Sequence, residues 1–482
     1  MIAFDPAMFA ALLGLLGLVI LTAGALSGIF EKVGLPLVAL FIGLGTILGP
    51  YGLDLISFSA DSAVLGMIAT LSLVLVLFTD ALSVDRSEVR RHLKLALVVL
   101  GPGTILTTAL LMFAGHWLLD LSWPAAAILG AALASTDPVM VRGLLRQRGI
   151  PAAARTALRM ESGLNDVVVL PVVLVGMALL AAQGEPGSIA GETGRVAGSV
   201  FVLGPLAGAL VGWISVRVMV AVRTRYGMRR DYESLYVLAV AFSAYAAAEL
   251  VHASGFMAAF TAGLTIALLD VELCDCFKDY GEATAEMLLL FAFVAFGTSL
   301  IWTGFEVMTV QGVAFALVAV LGRSIVLAAT LPRTGLDRGS CRVIMWFGPR
   351  ALSSLLLVLL PVFARVPGAD ALVPYVALAV LFSVAIHGVM LWVFSQRYGG
   401  SADGRTGAGP VDEEGLRISL GELERLEAAG EPVRTLDVRT ERAWNAADIK
   451  LAGAIRLDPE HPVESAAEQA LPKNDWLVGY CA

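Results

Sequence analysis

The stretch AALASTDPVMVRG, residues 131–143, sets an aspartate and a proline inside an apolar run, and WFGPRALSSLLL, residues 346–357, does the same with Gly348, Pro349 and Arg350. Proline lacks a backbone donor and its ring clashes with the preceding turn, so each segment is expected to break its helix and leave peptide groups unpaired. At mid-membrane depth such a break is tolerated only where the loosened backbone is buried in protein or lines a cavity. Pro138 and Pro349 stand 211 residues apart; the apolar segments before them begin at 94 and 309, and those after them at 156 and 371. A three-segment unit thus recurs at a near-constant offset, broken each time in its middle segment. That offset contains seven spans, an odd number, so the second copy is expected to be inverted in the membrane. Inverted repeats with discontinuous helices point to a secondary transporter and to its binding site.

Composition agrees. Of 482 residues, 58% are apolar and 15% charged, and the mean hydropathy is +0.81. Soluble domains average about 45–50% apolar and roughly 25% charged, so the excess calls for a lipid bilayer. The net charge of −8 argues against nucleic acid as a partner, since phosphate binding needs a basic surface. Thirteen segments are long and apolar enough to read as spans: 7–28, 33–50, 62–83, 94–118, 123–144, 156–182, 196–220, 233–251, 253–270, 285–302, 309–331, 341–364 and 371–395. With the N-terminus outside, the cytoplasmic connections hold sixteen Lys and Arg and the outer ones only Arg195 and Arg365. The positive-inside rule then gives a multi-pass protein of the inner (plasma) membrane, with the N-terminus outside and the C-terminal tail in the cytoplasm. MIAFDP carries no basic region before the first apolar run, so that run is expected to be a permanent span rather than a cleaved signal. Cys274 and Cys276 form a lone CxC, too few ligands for a closed zinc site, and neither a metal beyond the transported ion nor a cofactor is expected.

Ionisable residues within spans are functional candidates, because a charge at the bilayer centre costs at least ~2.5–3.5 kcal/mol. Asp80 lies near the inner end of the third span, Asp137 at the first break, Arg350 at the second, and RMESGLNDVVVLP, residues 159–171, brings Glu161, Ser162, Asn165 and Asp166. Glu161 and Asn165 share one helix face, Ser162 and Asp166 the next. Asp166 precedes a run that is apolar all round. A carboxylate in such surroundings can hold a proton and surrender it to a competing cation. Sodium or potassium needs oxygen ligands, which Asp166, Ser162, Thr136 and loosened carbonyls can supply. Arg350 is the expected partner of Glu161, in a structural ion pair that holds the two broken helices together. Asp80 reads as an accessory carboxylate or as a helix-end residue. Arg323 is expected to pair locally or snorkel. Helix-end solvation explains Glu249, His252, Glu286 and His387 at least as well as a role in pH response.

STDPVMVRGLLRQRGIP (135–151) followed by RMESGLNDVVVLP resembles the cation:proton antiporter-1 family, the NhaP- and NHE-type sodium/proton antiporters. SGFMAAFTAGL (254–264) and WFGPRALSSLLL match its other segments, so that the resemblance covers about residues 10 to 395. It implies an all-α polytopic fold of thirteen helices within residues 1–398, with a six-helix core over 94–183 and 309–395, a separate dimerisation domain, homodimers, and an elevator-like movement of the core. Asp166 would match the aspartate that carries cation and proton; Thr136, Ser162 and Asp137 would match the surrounding site. Asp80 falls where some relatives place a glutamate. Asn165 matches the asparagine of the electroneutral branch. One carboxylate carrying one H+ or one Na+ or K+ then implies 1:1 exchange that is insensitive to voltage.

Near residue 400 the composition changes. Residues 401–482 hold sixteen acidic and nine basic residues. Residues 399–414 read as a flexible linker, and 415–482 resemble the first half of a rhodanese-like α/β domain, with Cys481 at its cysteine. Asp448 stands where that family has histidine, and the loop of backbone donors that activates the thiolate has no counterpart after Cys481. The tail is therefore expected to be inactive as a sulfurtransferase. An alternative within transport is an ion transporter linked to sulfur metabolism through the tail; a second, a membrane-anchored rhodanese-type sulfurtransferase, is disfavoured by the same missing loop. Buried carboxylates disfavour anion transport, and occluded broken helices suit alternating access better than a channel.

Overall fold

The computed structural model describes residues 6–33, 36–84, 93–137, 139–140, 150–182, 189–227, 229–269, 275–398, 432–439, 444, 453–457, 465–466, 469, 471–472 and 476–480. The chain divides into two compact units, Met1–Ala402 and Asp403–Ala482.

Among the described residues of the first unit, the regular elements are all helical. They are α1 (Pro6–Val33), α2 (Leu37–Leu48), α3 (Ala63–Leu82), α4 (Leu93–Leu119), α5 (Trp123–Ala134), α6 (Ala152–Leu164), α7 (Asp166–Ala181) and α8 (Ile189–Gly198). There follow α9 (Gly204–Tyr226), α10 (Arg230–Leu250), α11 (Gly255–Leu268), α12 (Asp275–Thr298), α13 (Val310–Thr330), α14 (Arg338–Trp346), α15 (Leu352–Phe363) and α16 (Val373–Tyr398). Pro102 sits in a π-type turn, Val99–Gly103, within α4, and a second such turn, Ser199–Leu203, joins α8 to α9. Polar side chains mark several helix starts. Thr309 accepts from Gly312 N at 3.1 Å to begin α13, and Asp337 from Ser340 N at 2.9 Å to begin α14.

Among the described residues, nine helical stretches are long and apolar enough to cross a bilayer, and four shorter apolar helices accompany them: α2, α5, α11 and α15. Two of the four, α5 and α15, are short because a proline segment interrupts each span. The acidic stretch between the expected spans 253–270 and 285–302 is helical from Asp275 onward. DCFKDYGEATAEM contains no proline and ends in good helix formers, so α12 extends beyond its apolar part.

In lipid no water drives apolar helix faces together, so association rests on close packing, which small residues permit. A Cβ at Gly208 of α9 would lie 2.0 Å from the Ala258 carbonyl oxygen of α11. Likewise, Gly45 of α2 abuts Val294 and Gly297 of α12, and Gly263 of α11 abuts Phe78 of α3.

Among the described residues of the second unit, three parallel strands form a sheet in the order β2-β1-β3: β1 Val433–Asp437, β2 Ile455–Arg456 and β3 Trp476–Tyr480. Leu436 pairs with Ile455, and Val433 with Trp476. Asp437, fully buried, accepts from Arg439, whose guanidinium lies over Trp444 as Arg456 also does. The expected linker 399–414, Asp448 and Cys481 lie outside the described residues.

Candidate functional site

The two breaks meet. Asp137 N donates to the Pro349 carbonyl at 3.0 Å, tying the peptide of one interruption to the other. The Asp137 carboxylate then serves two helix starts. Its Oδ1 accepts from Met140 N at 3.0 Å and its Oδ2 from Leu352 N, the first residue of α15, at 2.9 Å. Arg350 serves a helix end: Nη1 donates to the carbonyls of Ala134 and Ser135, at 2.8 and 2.9 Å, where α5 stops. A negative group thus sits at helix N-termini and a positive one at a C-terminus, each matched to the partial charge of the helix dipole. Both side chains are buried, Arg350 completely. Charge and broken helix stabilise one another here.

Against this junction lie α6 and α7. Their backbone ladder runs through a tightened turn at Asn165, which donates to Glu161 O at 2.9 Å and accepts from Val168 and Val169. The expected span 156–182 is thus one helical stretch, Ala153–Ala181, with this turn at the site. The turn brings two adjacent side chains to the first break. Ser135 Oγ donates to Asp166 Oδ1 at 2.8 Å, and Asn165 Nδ2 donates to Thr136 Oγ1 at 2.7 Å. Asn165 Oδ1, equally buried, has no hydrogen-bond partner. A carboxylate and an unpartnered amide oxygen from neighbouring residues thus stand beside a broken backbone, an oxygen-rich set suited to a hard monovalent cation.

Of the residues expected at the site, Asp166, Asn165, Thr136 and Asp137 are brought together. Ser162 is buried next to them, but its hydroxyl turns back to the Arg159 carbonyl at 3.2 Å. Asp80, half-buried in the last turn of α3, lies against this region: a Cβ at Gly163 would be 3.7 Å from the Asp80 carbonyl oxygen. Pro138 and Cys481 lie outside the described residues.

The expected Glu161–Arg350 pair is not formed. Glu161 is held instead by Arg323 of α13, whose Nε donates to Oε1 at 2.5 Å and whose Nη2 donates to Oε2. Arg323 Nη1 also caps the end of α14 through the carbonyls of Ile344 and Met345, at 2.8 and 3.2 Å. Arg323 therefore neither pairs locally nor snorkels. The physical reason is geometric competition: the free carbonyls of Ala134 and Ser135 claim the Arg350 guanidinium, while Arg323 reaches Glu161 in the two-pronged geometry that suits a carboxylate. Sequence reading also missed Ser383, and it set His387 down to helix-end solvation at least as readily as to a role in pH response. His387 is only 4% exposed, so helix-end solvation does not describe it. Their spacing of four on one helix face was the available signal.

Comparison with known proteins follows the same lines. Residues 17–396 match the family model described as sodium/hydrogen exchanger, transmembrane. The K(+)/H(+) antiporter NhaP of Alkalimonas amylolytica is 29% identical over 255 residues, covering 52% of this chain and 42% of that one. The K(+)/H(+) antiporter NhaP2 of Shewanella sp. strain MR-4 is 24% identical over 370 residues, 76% of this chain and 63% of that one. The chain thus spans less than two thirds of the length of either relative. The Na(+)/H(+) antiporter NhaG of Bacillus atrophaeus is 25% identical over 404 residues, covering 79% and 74%. In fold, the chain is similar to the sodium proton antiporter MjNhaP1 from Methanocaldococcus jannaschii, with a TM-score of 0.64 and 19% identity over 82% of this chain and 100% of that one.

Proposed function

Because the chain belongs to the sodium/hydrogen exchanger family, we propose that it is a secondary transporter exchanging Na+ or K+ for H+ across the membrane, with Asp166 as the shared carrier. The observation that carries this reading is the buried Asp166 carboxylate, hydrogen-bonded to Ser135 where two interrupted helices meet. One carboxylate in an apolar setting accommodates one positive charge, either a proton or a monovalent cation. Each cycle then trades one charge for another. Asn165 contributes a neutral oxygen beside it, which keeps the exchange electroneutral. Thr136 and Asp137 shape the site, Ser162 adjoins it, and Asp80 is an accessory carboxylate on the inner side.

The same reading includes thirteen spans, with the N-terminus outside and the tail in the cytoplasm, and a homodimer in the plasma membrane. Its support is the distribution of basic residues and the family's architecture. The tail is a rhodanese-like α/β domain, a reading supported by the parallel sheet of its described strands.

Proteoliposomes with an imposed pH gradient test this function. Adding Na+ or K+ should collapse the gradient, and the effective cation names the substrate. At fixed ion gradients, the rate should not respond to an imposed membrane voltage. A voltage-dependent rate would exclude the 1:1 stoichiometry, and no response to either cation would exclude the function.

A further inference from the structure

Ser383 and His387, one turn apart on α16, lie outside the carrier site yet are joined to it. The Arg350 N–H, left without a helical acceptor by the second break, donates to Ser383 Oγ at 2.6 Å. His387 Nδ1 lies 3.1 Å from that oxygen and 2.9 Å from the Ser383 carbonyl oxygen. A carbonyl only accepts, so Nδ1 bears a proton and the imidazole braces the hydroxyl that holds Arg350. From Arg350 the connection continues through Nη1 to the Ser135 carbonyl at 2.9 Å, and from Ser135 Oγ to Asp166 at 2.8 Å. Ser383 and Arg350 are completely buried and His387 nearly so. A continuous line of polar contacts therefore runs from His387 to Asp166 through otherwise apolar surroundings.

We propose that Ser383 and His387 are positioning residues for cation binding: by fixing the Arg350 backbone they set where the Ser135–Thr136 peptide, and hence its oxygens, stand relative to Asp166. The physical ground is that a buried N–H at a helix break needs an acceptor, and one without it shifts until it finds another. Such a shift moves the guanidinium, and with it the end of α5. The effect falls on the oxygen set around the cation rather than on the number of working molecules. This rests on the exchange function and on Asp166 as carrier.

The test is cation-dependent proton flux in proteoliposomes at a series of Na+ or K+ concentrations, for wild type, Ser383→Ala, Ser383→Thr and His387→Leu. The amount of folded protein in each preparation is measured by size-exclusion chromatography. Ser383→Ala should raise the half-saturating cation concentration several-fold, with the maximal rate per folded protein little changed. His387→Leu should move it in the same direction by less, and Ser383→Thr, which keeps the hydroxyl, should restore the wild-type value. A merely structural role lowers the yield of active protein and leaves half-saturation unmoved. That result for Ser383→Ala, or a Thr variant as impaired as the Ala one, would overturn the proposal while the exchange function stood. Wild-type protein that exchanges no cation would instead remove the function on which it rests.

Discussion

Arg323 and Glu161, 162 residues apart in the chain, form a two-pronged ion pair in the interior of the helical unit. The guanidinium holds the carboxylate through Nε and Nη2 while Nη1 caps the end of α14, so one side chain ties α6, α13 and α14 together. Leaving a single member of such a pair buried costs about 3–5 kcal/mol. Glu161→Gln and Arg323→Gln should each lower the melting temperature in detergent sharply, and their double mutant should show a coupling of about 1–3 kcal/mol. The corresponding cycle between Glu161 and Arg350 should give a clearly smaller coupling. Equal coupling in the two cycles would contradict the pairing.

Asp137 acts as a cap on two helix starts. Asp137→Asn keeps one acceptor oxygen but removes the charge, and Asp137→Ala removes both. Loss of a cap costs about 0.5–2 kcal/mol, so Ala should destabilise the protein more than Asn, by an amount closer to two caps than to one. Thermal unfolding in detergent checks the order; an Ala variant as stable as wild type would contradict the double capping.

Close packing of α9 on α11 depends on glycine. A Cβ at Gly208 would lie 2.0 Å from the Ala258 carbonyl oxygen and 2.2 Å from Thr261 Oγ1, both on one helix, whereas at Gly17 of α1 nothing lies within 4 Å. Gly208→Val should therefore prevent recovery of well-folded protein. Gly17→Ala should be neutral or stabilising, by up to about 1 kcal/mol of helix propensity. Size-exclusion profiles of the two variants decide this, and a monodisperse Gly208→Val would refute it.

Asp337 caps α14 at its exposed start. Hydrogen bonds from Ser340, with smaller ones from neighbouring backbone groups, hold its carboxyl below the ordinary value of 3.8. A group whose folded value is depressed stabilises fully above its unfolded value, and that stability fades as pH falls through the folded value. The difference in melting temperature between wild type and Asp337→Ala should thus be constant near neutral pH and vanish on acidification below about pH 4. A difference that grows on acidification would contradict the cap.

Much of the membrane unit was legible because its signals are local. Pro138 and Pro349 sit in apolar runs, and the proline rule alone marks both breaks. Asn165, Asp166, Thr136 and Asp137 occupy two short stretches whose residues cannot move far apart, so finding one finds the others. The partner of Glu161 was not legible, because it depends on how α13 is rotated against α6, and sequence spacing carries no such information. Arg350 was misread for the same reason: its acceptors are backbone carbonyls, which every residue has. The polar pair Ser383 and His387 lay within a long apolar helix, where a histidine towards the end of an expected span reads as solvated until packing shows it enclosed.

The most direct measurement compares wild type with Asp166→Asn in proteoliposomes carrying an imposed pH gradient, on addition of Na+ or K+. Wild type should collapse the gradient with at least one cation, and the variant, correctly folded by size-exclusion chromatography, should with neither. A variant that exchanges cation for proton as well as wild type would contradict the assignment of Asp166 as the shared carrier.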